Sequence, residues 1–112
     1  MTINNLPVSV CMASYNGEDY IKDQIVSIIS QFSNKDDQLI IVDDCSSDKT
    51  LEIIENINSP HIILKKNQEN IGVIKTFEKA IDMAENPLIF LSDQDDIWMD
   101  YKIHIYKTAF FQ

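Results

Sequence analysis

The chain has 112 residues, a formal net charge of −9, and 45% hydrophobic against 24% charged residues. That length suits one small domain with a real core, and the composition excludes a disordered chain. The acidic balance excludes nonspecific binding to nucleic acid or anionic lipid, and a phosphate ligand would be repelled unless a cation intervened.

The first residues, MTINNLPVSV, lack a basic segment followed by a long apolar one, so no signal peptide is expected. No apolar run is long enough to span a bilayer, and the expected location is the cytoplasm. Val8–Ala13 reads as a buried strand. From Glu18 onward, Ile21, Ile25, Ile28, Ile29 and Phe32 recur at helical spacing. Asn16 is the expected N-cap of that helix, with Glu18 and Asp19 in its first turn. Gln38–Val42 is a second strand. A helix follows, capped by Ser46 or Ser47, with Leu51, Ile54 and Ile57 on one face. His61–Lys65 is a third strand, shorter and nearer an edge. Asn70 or a neighbour caps a further helix whose stripe is Val73, Ile74, Phe77, Ala80, Ile81 and Ala84. Leu88–Leu91 is a fourth strand, read as buried on both faces, and Trp98, Tyr101, Ile105 and Ala109 start a last helix. Cys11 and Cys45 are too few for a disulfide framework and are read as reduced thiols.

Strands alternating with helices imply an α/β domain: a Rossmann-like three-layer αβα arrangement around a mostly parallel sheet. Right-handed crossovers favour strand order 3-2-1-4. Ligands bind such sheets beyond the carboxyl ends of the strands, where the winding reverses, here between strands one and four. Strand one delivers Ser14-Tyr15-Asn16 to that rim, strand two Asp43-Asp44, and strand four Asp93-Gln94-Asp95-Asp96.

Each piece also has a plainer reading. Asp43 to Asp48 can be turn and cap chemistry. Asp96 can be a helix cap, Tyr15 and Trp98 packed rings, and His61 and His104 ordinary histidines. Lys65 and Lys66 read as a solvated strand end. The conjunction is harder to dismiss, because two acidic clusters at adjacent strand ends repel and call for a counter-charge. A divalent cation with hard oxygen ligands supplies one and bridges carboxylate to phosphate. Gly17 and Gly72 are the only glycines, so glycine-rich phosphate loops and dinucleotide fingerprints are excluded.

Four stretches, in order and covering nearly the whole chain, resemble the family 2 glycosyltransferases of GT-A fold. VSVCMASYNGEDYIKDQIVSIISQ resembles the opening strand and helix. LIIVDDCSSDKT resembles the second strand and its Asp-Asp-x-Ser-x-Asp-x-Thr loop. NQENIGVIKTFEKAIDMA resembles the Asn-x-Gly helix start. LIFLSDQDDIW resembles the Asp-x-Asp segment in the form used by rhamnosyltransferase-like enzymes of bacterial surface polysaccharides.

The resemblance implies a UDP- or dTDP-sugar donor, a glycan or lipid-linked acceptor, and Mn²⁺ or Mg²⁺. Ser14, Tyr15 and Asn16 would line the nucleotide pocket. Asp44 would accept from the base N–H, and Asn70 and Gly72 would shape the rim. Asp93 would lie near ribose and metal, with Asp95 the main metal ligand. It also implies that residues 1–112 form one donor-binding domain, half of a GT-A fold, cut before the acceptor half that carries the catalytic base. No catalytic residue is assigned here, since Asp96 and Asp100 stand too close to the metal-binding stretch. A full-length relative would sit in the cytoplasm or at the inner membrane face.

Ala13 departs from the family pattern, where many members carry threonine. Two rival readings stand beside this one. IIVDDCSSDKTLEII also resembles a receiver domain that binds Mg²⁺, but a full strand-helix unit precedes the acid pair and HIILKKNQ holds no phospho-acceptor Asp. The other rival is a non-catalytic remnant that self-associates through surface left uncovered by truncation.

Overall fold

The computed structural model describes residues 6–93. Its elements run β1 (Val8–Ser14), α1 (Ile21–Ile29), β2 (Gln38–Asp43), α2 (Thr50–Asn56), β3 (Ile62–Lys66), α3 (Val73–Met83) and β4 (Leu88–Asp93). The four strands form one sheet in the order β3-β2-β1-β4, as the sequence implied. Every pairing is parallel. The last helix expected from Trp98 lies outside the described residues.

β1 is buried along its full length because it is hydrogen-bonded on both sides and covered on both faces. Val8, Val10 and Met12 point to one face, where they meet Ile21, Ile25 and Ile28 of α1, Ile54 of α2, and Leu39 and Ile41 of β2. Cys11 points to the other, with Ile40, Val42 and Ala80 of α3. This alternation is the two-residue period of a strand read out on two helical layers. Each fully buried Ile, Leu or Val contributes about 1.5–3 kcal/mol. Burial also pushes the Cys11 thiol up to about 11, so it remains a protonated core residue.

Two expectations about burial need correction. β4 is not covered on both faces: Leu88 and Phe90 pack on the α1 side, whereas Ile89 and Leu91 are 48% and 56% exposed. Among the described residues, α3 packs chiefly over β1 and β2 rather than over that side of β4. The face of α3 is also rotated from the predicted stripe. Thr76 and Ala80 are buried, while Val73, Ile74 and Ile81 are exposed.

The opposite end of the sheet is tied by side chains. Asn86, just before β4, donates its Nδ2 to the carbonyls of Val8 and Asp36, both at 2.8 Å. Asp37, 4% exposed, closes the turn into β2. Its Oδ1 accepts from the Val8 amide at 2.9 Å, and its Oδ2 from the Ser33 and Asn34 amides at 3.0 and 2.9 Å. His61 has a packed role, donating to the Asp37 carbonyl at 2.8 Å and meeting the Phe32 ring edge-on at 5.2 Å.

Asp37→Ala strips three amides of their acceptor. A loss of about 2–3 kcal/mol is expected, read as a lower urea midpoint at unchanged slope.

Candidate functional site

The carboxyl ends of β1, β2 and β4 lie level. In register, Ser14 stands opposite Asp43, and Ala13 opposite Asp93. Asp43 is fully buried. Its Oδ1 accepts from the Ser14 and Ser46 hydroxyls, both at 2.7 Å, and its Oδ2 from the Ser46 amide at 2.8 Å. A buried carboxylate is tolerated only when hydrogen-bonded in this way. Ser14, 1% exposed, is therefore spent on Asp43 and supports the rim from beneath.

The next residues stitch the β1–α1 loop to the β2–α2 loop. Asn16 takes a left-handed φ of 48°, a conformation asparagine tolerates better than most. Its amide donates to the Ser46 hydroxyl at 2.9 Å, and its Oδ1 accepts from the Ser47 amide at 2.9 Å. The Gly17 amide donates to Thr50 Oγ1 at 2.8 Å, and the Glu18 amide to Asp48 Oδ2 at 3.2 Å. Glu18 replies by accepting from the Lys49 amide at 3.2 Å.

The predicted caps fail for the same reason. Asn16 caps no helix: α1 begins at Ile21, preceded by Tyr20 with no side-chain cap bond. Ser46 and Ser47 are engaged across the loop, and Asp48 Oδ1 instead takes the Thr50 amide at 2.9 Å and its hydroxyl at 2.5 Å. Burial would raise the Asp48 pKa, but the hydroxyl and amide of Thr50 and the Glu18 amide outweigh it and hold it below the usual value.

Asp44 faces the other way. Cys45, at φ 62°, turns the chain sharply after it. Asp44 Oδ1 accepts from the Ile71 amide at 2.8 Å and from Asn67 Nδ2 at 3.1 Å, and Oδ2 from the Gly72 amide at 3.0 Å. It is 5% exposed. Desolvation pushes its pKa up, yet the bonds from Ile71, Asn67 and Gly72 prevail and hold it low. Gly72 precedes α3 with φ 93°, a value that glycine alone adopts readily, so it and not Asn70 starts the helix.

Asn67 was missed by the sequence reading. Only 5% exposed, it donates from Nδ2 to Asp44 and to Thr76 Oγ1, and its Oδ1 accepts from Lys79 at 3.0 Å. Asn70 is exposed and takes no part in this network. Thr76 bonds back to the Gly72 carbonyl at 2.7 Å and accepts from Asn67 at 3.1 Å, and the second bond ties this helix face inward and accounts for the rotated stripe.

Tyr15 is 45% exposed at the rim. Asp93 closes β4; its side chain and Asp95 lie outside the described residues. Among the described residues no group of three His, Cys, Asp or Glu side chains could hold a metal ion. Asp43 and Asp44 do not serve as a cation pair, because protein N–H and O–H groups already supply their positive partners.

Comparison with known proteins places this rim in context. The family model described as glycosyl transferase family 2 matches residues 9–106. The dTDP-rhamnosyl transferase RfbG of Shigella flexneri is 41% identical over 99 residues, covering 82% of this chain and 34% of its own length. The Escherichia coli enzyme WfaP, a UDP-Glc:alpha-D-GlcNAc-diphosphoundecaprenol beta-1,3-glucosyltransferase, is 36% identical over 96 residues, covering 86% and 38%. A crystal structure of Staphylococcus aureus TarS 1–349 in complex with UDP superposes with a TM-score of 0.82 at 30% identity, covering 94% of this chain and 32% of that one. The chain thus spans about a third of the length of the relatives it matches.

Asp44→Asn places an NH₂ group against amide donors, and a loss of about 2 kcal/mol is expected at neutral pH. Because the folded-state pKa is depressed, the carboxylate's contribution is present above the unfolded value and lost as pH falls through the folded one. The gap between wild type and Asp44→Asn, measured by urea unfolding, should therefore narrow below about pH 4.

Proposed function

The chain belongs to glycosyl transferase family 2, and on that premise we propose that it binds the nucleoside diphosphate sugar, UDP- or dTDP-linked, across the carboxyl ends of β1 and β4. The whole protein would transfer the sugar to a hydroxyl of a glycan or lipid-linked acceptor in surface-polysaccharide synthesis. The observation that carries this reading is the register that sets Ser14 beside Asp43 and Ala13 beside Asp93, so that β1, β2 and β4 end at one rim, with Tyr15 and Asp44 directly after the first two.

Asp44 suits the base-reading role. A carboxylate offers about four acceptor positions, and protein donors fill two on Oδ1 and one on Oδ2. The remaining Oδ2 position matches the imide N–H shared by uracil and thymine. Its depressed pKa keeps it an acceptor at neutral pH. Tyr15 offers an exposed ring for stacking. Asn16 and Ser14 hold the wall behind it, and Gly72 and Asn70 border the far side. Asp95, with Asp93, would hold Mn²⁺ or Mg²⁺, whose chemistry is to offset charge developing on the diphosphate leaving group. None of the described carboxylates at the rim acts as general base, because Asp43, Asp44 and Asp48 are all engaged by protein donors. That base would lie in a region matching the part of the relatives this chain does not span.

A second reading concerns association. Ile89 and Leu91 form an open apolar strip on β4, and such strips favour burial against another surface. Sedimentation of the 112-residue chain should show concentration-dependent association that Ile89→Ser/Leu91→Ser abolishes.

Calorimetric titration with UDP and dTDP, with and without Mn²⁺, tests the donor site. Metal-dependent binding is expected, with Asp95→Ala removing the metal enhancement and Tyr15→Ala weakening both arms about tenfold. No binding at millimolar nucleotide would overturn the reading.

A further inference from the structure

Gln24 lies in the buried stripe of α1, between Ile21, Ile25 and Ile28, and is completely inaccessible to solvent. Its Nε2 donates to Ser92 Oγ at 3.0 Å, and Ser92 is itself 1% exposed. Its Oε1 is buried with no hydrogen-bond partner among the described residues. A methionine or leucine would fill this volume without desolvating an amide, and a half-satisfied amide is a poor way to stabilise a core. The stripe around it is otherwise isoleucine. The folding of α1 therefore gives no account of a glutamine here.

The partner's location does. Ser92 stands opposite Met12 in the sheet and immediately before Asp93. β4 pairs with β1 alone among the described strands, and one of its faces is open. A hydrogen bond from α1 to Ser92 fixes the last turn of an edge strand from the covered side. We propose that Gln24 is a positioning residue for donor binding. With Ser92 it fixes the carboxyl end of β4, and so the backbone position from which Asp93 would serve the diphosphate and its divalent cation. The role rests on the donor-site reading above.

The test pairs binding with stability. Gln24→Met keeps the volume and removes the amide; Ser92→Ala removes only the hydroxyl. Nucleotide affinity is measured by calorimetry with UDP and dTDP, with and without Mn²⁺, alongside thermal unfolding. In Gln24→Met the melting temperature should hold or rise and metal-free affinity should stay unchanged. The Mn²⁺ enhancement should fall about five- to tenfold, the size of one lost buried hydrogen bond. Ser92→Ala should show the same fall, with the double variant no worse than either single one. Should Gln24→Met fail to fold, Ser92→Ala alone carries the test. Wild-type protein without Mn²⁺-dependent binding overturns the donor-site reading and this role with it. Wild-type binding whose Mn²⁺ enhancement survives in the variants overturns this role only.

Discussion

The buried carboxylate of Asp43 is the constraint on which the rim depends. Removing a charge from water costs several kcal/mol, and only well-placed hydrogen bonds offset it. The parallel register puts Ser14 beside it, and Ser46 supplies a hydroxyl and an amide. To bring Ser46 back under Asp43, the chain must reverse within two residues, which accounts for the left-handed Cys45. That reversal in turn presents Ser46 and Ser47 to Asn16. The Asp-Asp-x-Ser-x-Asp-x-Thr loop is thus first a structural device: Asp43, Ser46, Asp48 and Thr50 each close a bond that holds two loops together.

The acids at the strand ends raised the question of what neutralises them. For Asp43 and Asp44 the answer is the protein's own N–H and O–H groups, supplied by neighbouring Ser46 and by Ser14, Asn67, Ile71 and Gly72 from farther along the chain. Amide donors offset the field of a carboxylate without a full counter-charge, which is why a chain of net charge −9 tolerates two adjacent buried aspartates. In the proposed donor site the need for a cation would move to the acidic stretch that starts at Asp93. There the two acid pairs would have different work: Asp44 would read a neutral base through one remaining lone pair, while Asp93 and Asp95 would hold the cation that meets phosphate.

Much of the fold was legible, because it rests on periodicity. The apolar runs of β1 and β2 and the stripe Ile21, Ile25, Ile28 specify a covered sheet, and the alternation of elements specifies strand order. Caps were misread because Asn, Ser and Asp make the same local bonds whether they start a helix or join two loops. Asn16 and Ser46 look like caps until the partner loop is in place. The open face of β4 was hidden because Leu88 to Leu91 is equally apolar on both faces, and only the placement of α3 over β1 and β2 distinguishes them. Gln24 and Asn67 went unread for a related reason. A lone amide in a polar or apolar run carries no periodic signal, and its value appears only with Ser92 or Asp44 beside it.

The rim is consequently built of unequal halves. The β1–β2 side is a wall: central strands, two loops stitched by side-chain bonds, and a carboxylate locked by three donors. A ligand that meets such a wall costs the protein little ordering, and most of its contact free energy appears as affinity. The β4 side is an edge strand fastened at its start by Asn86 and near its end by Gln24. In the proposed donor site, recognition of the nucleotide base would fall to the side that is fixed before binding. The phosphate side of that site would depend on how firmly two amides, half-buried Asn86 and buried Gln24, hold an edge strand, and a single hydrogen bond there has leverage that it would lack anywhere along β1.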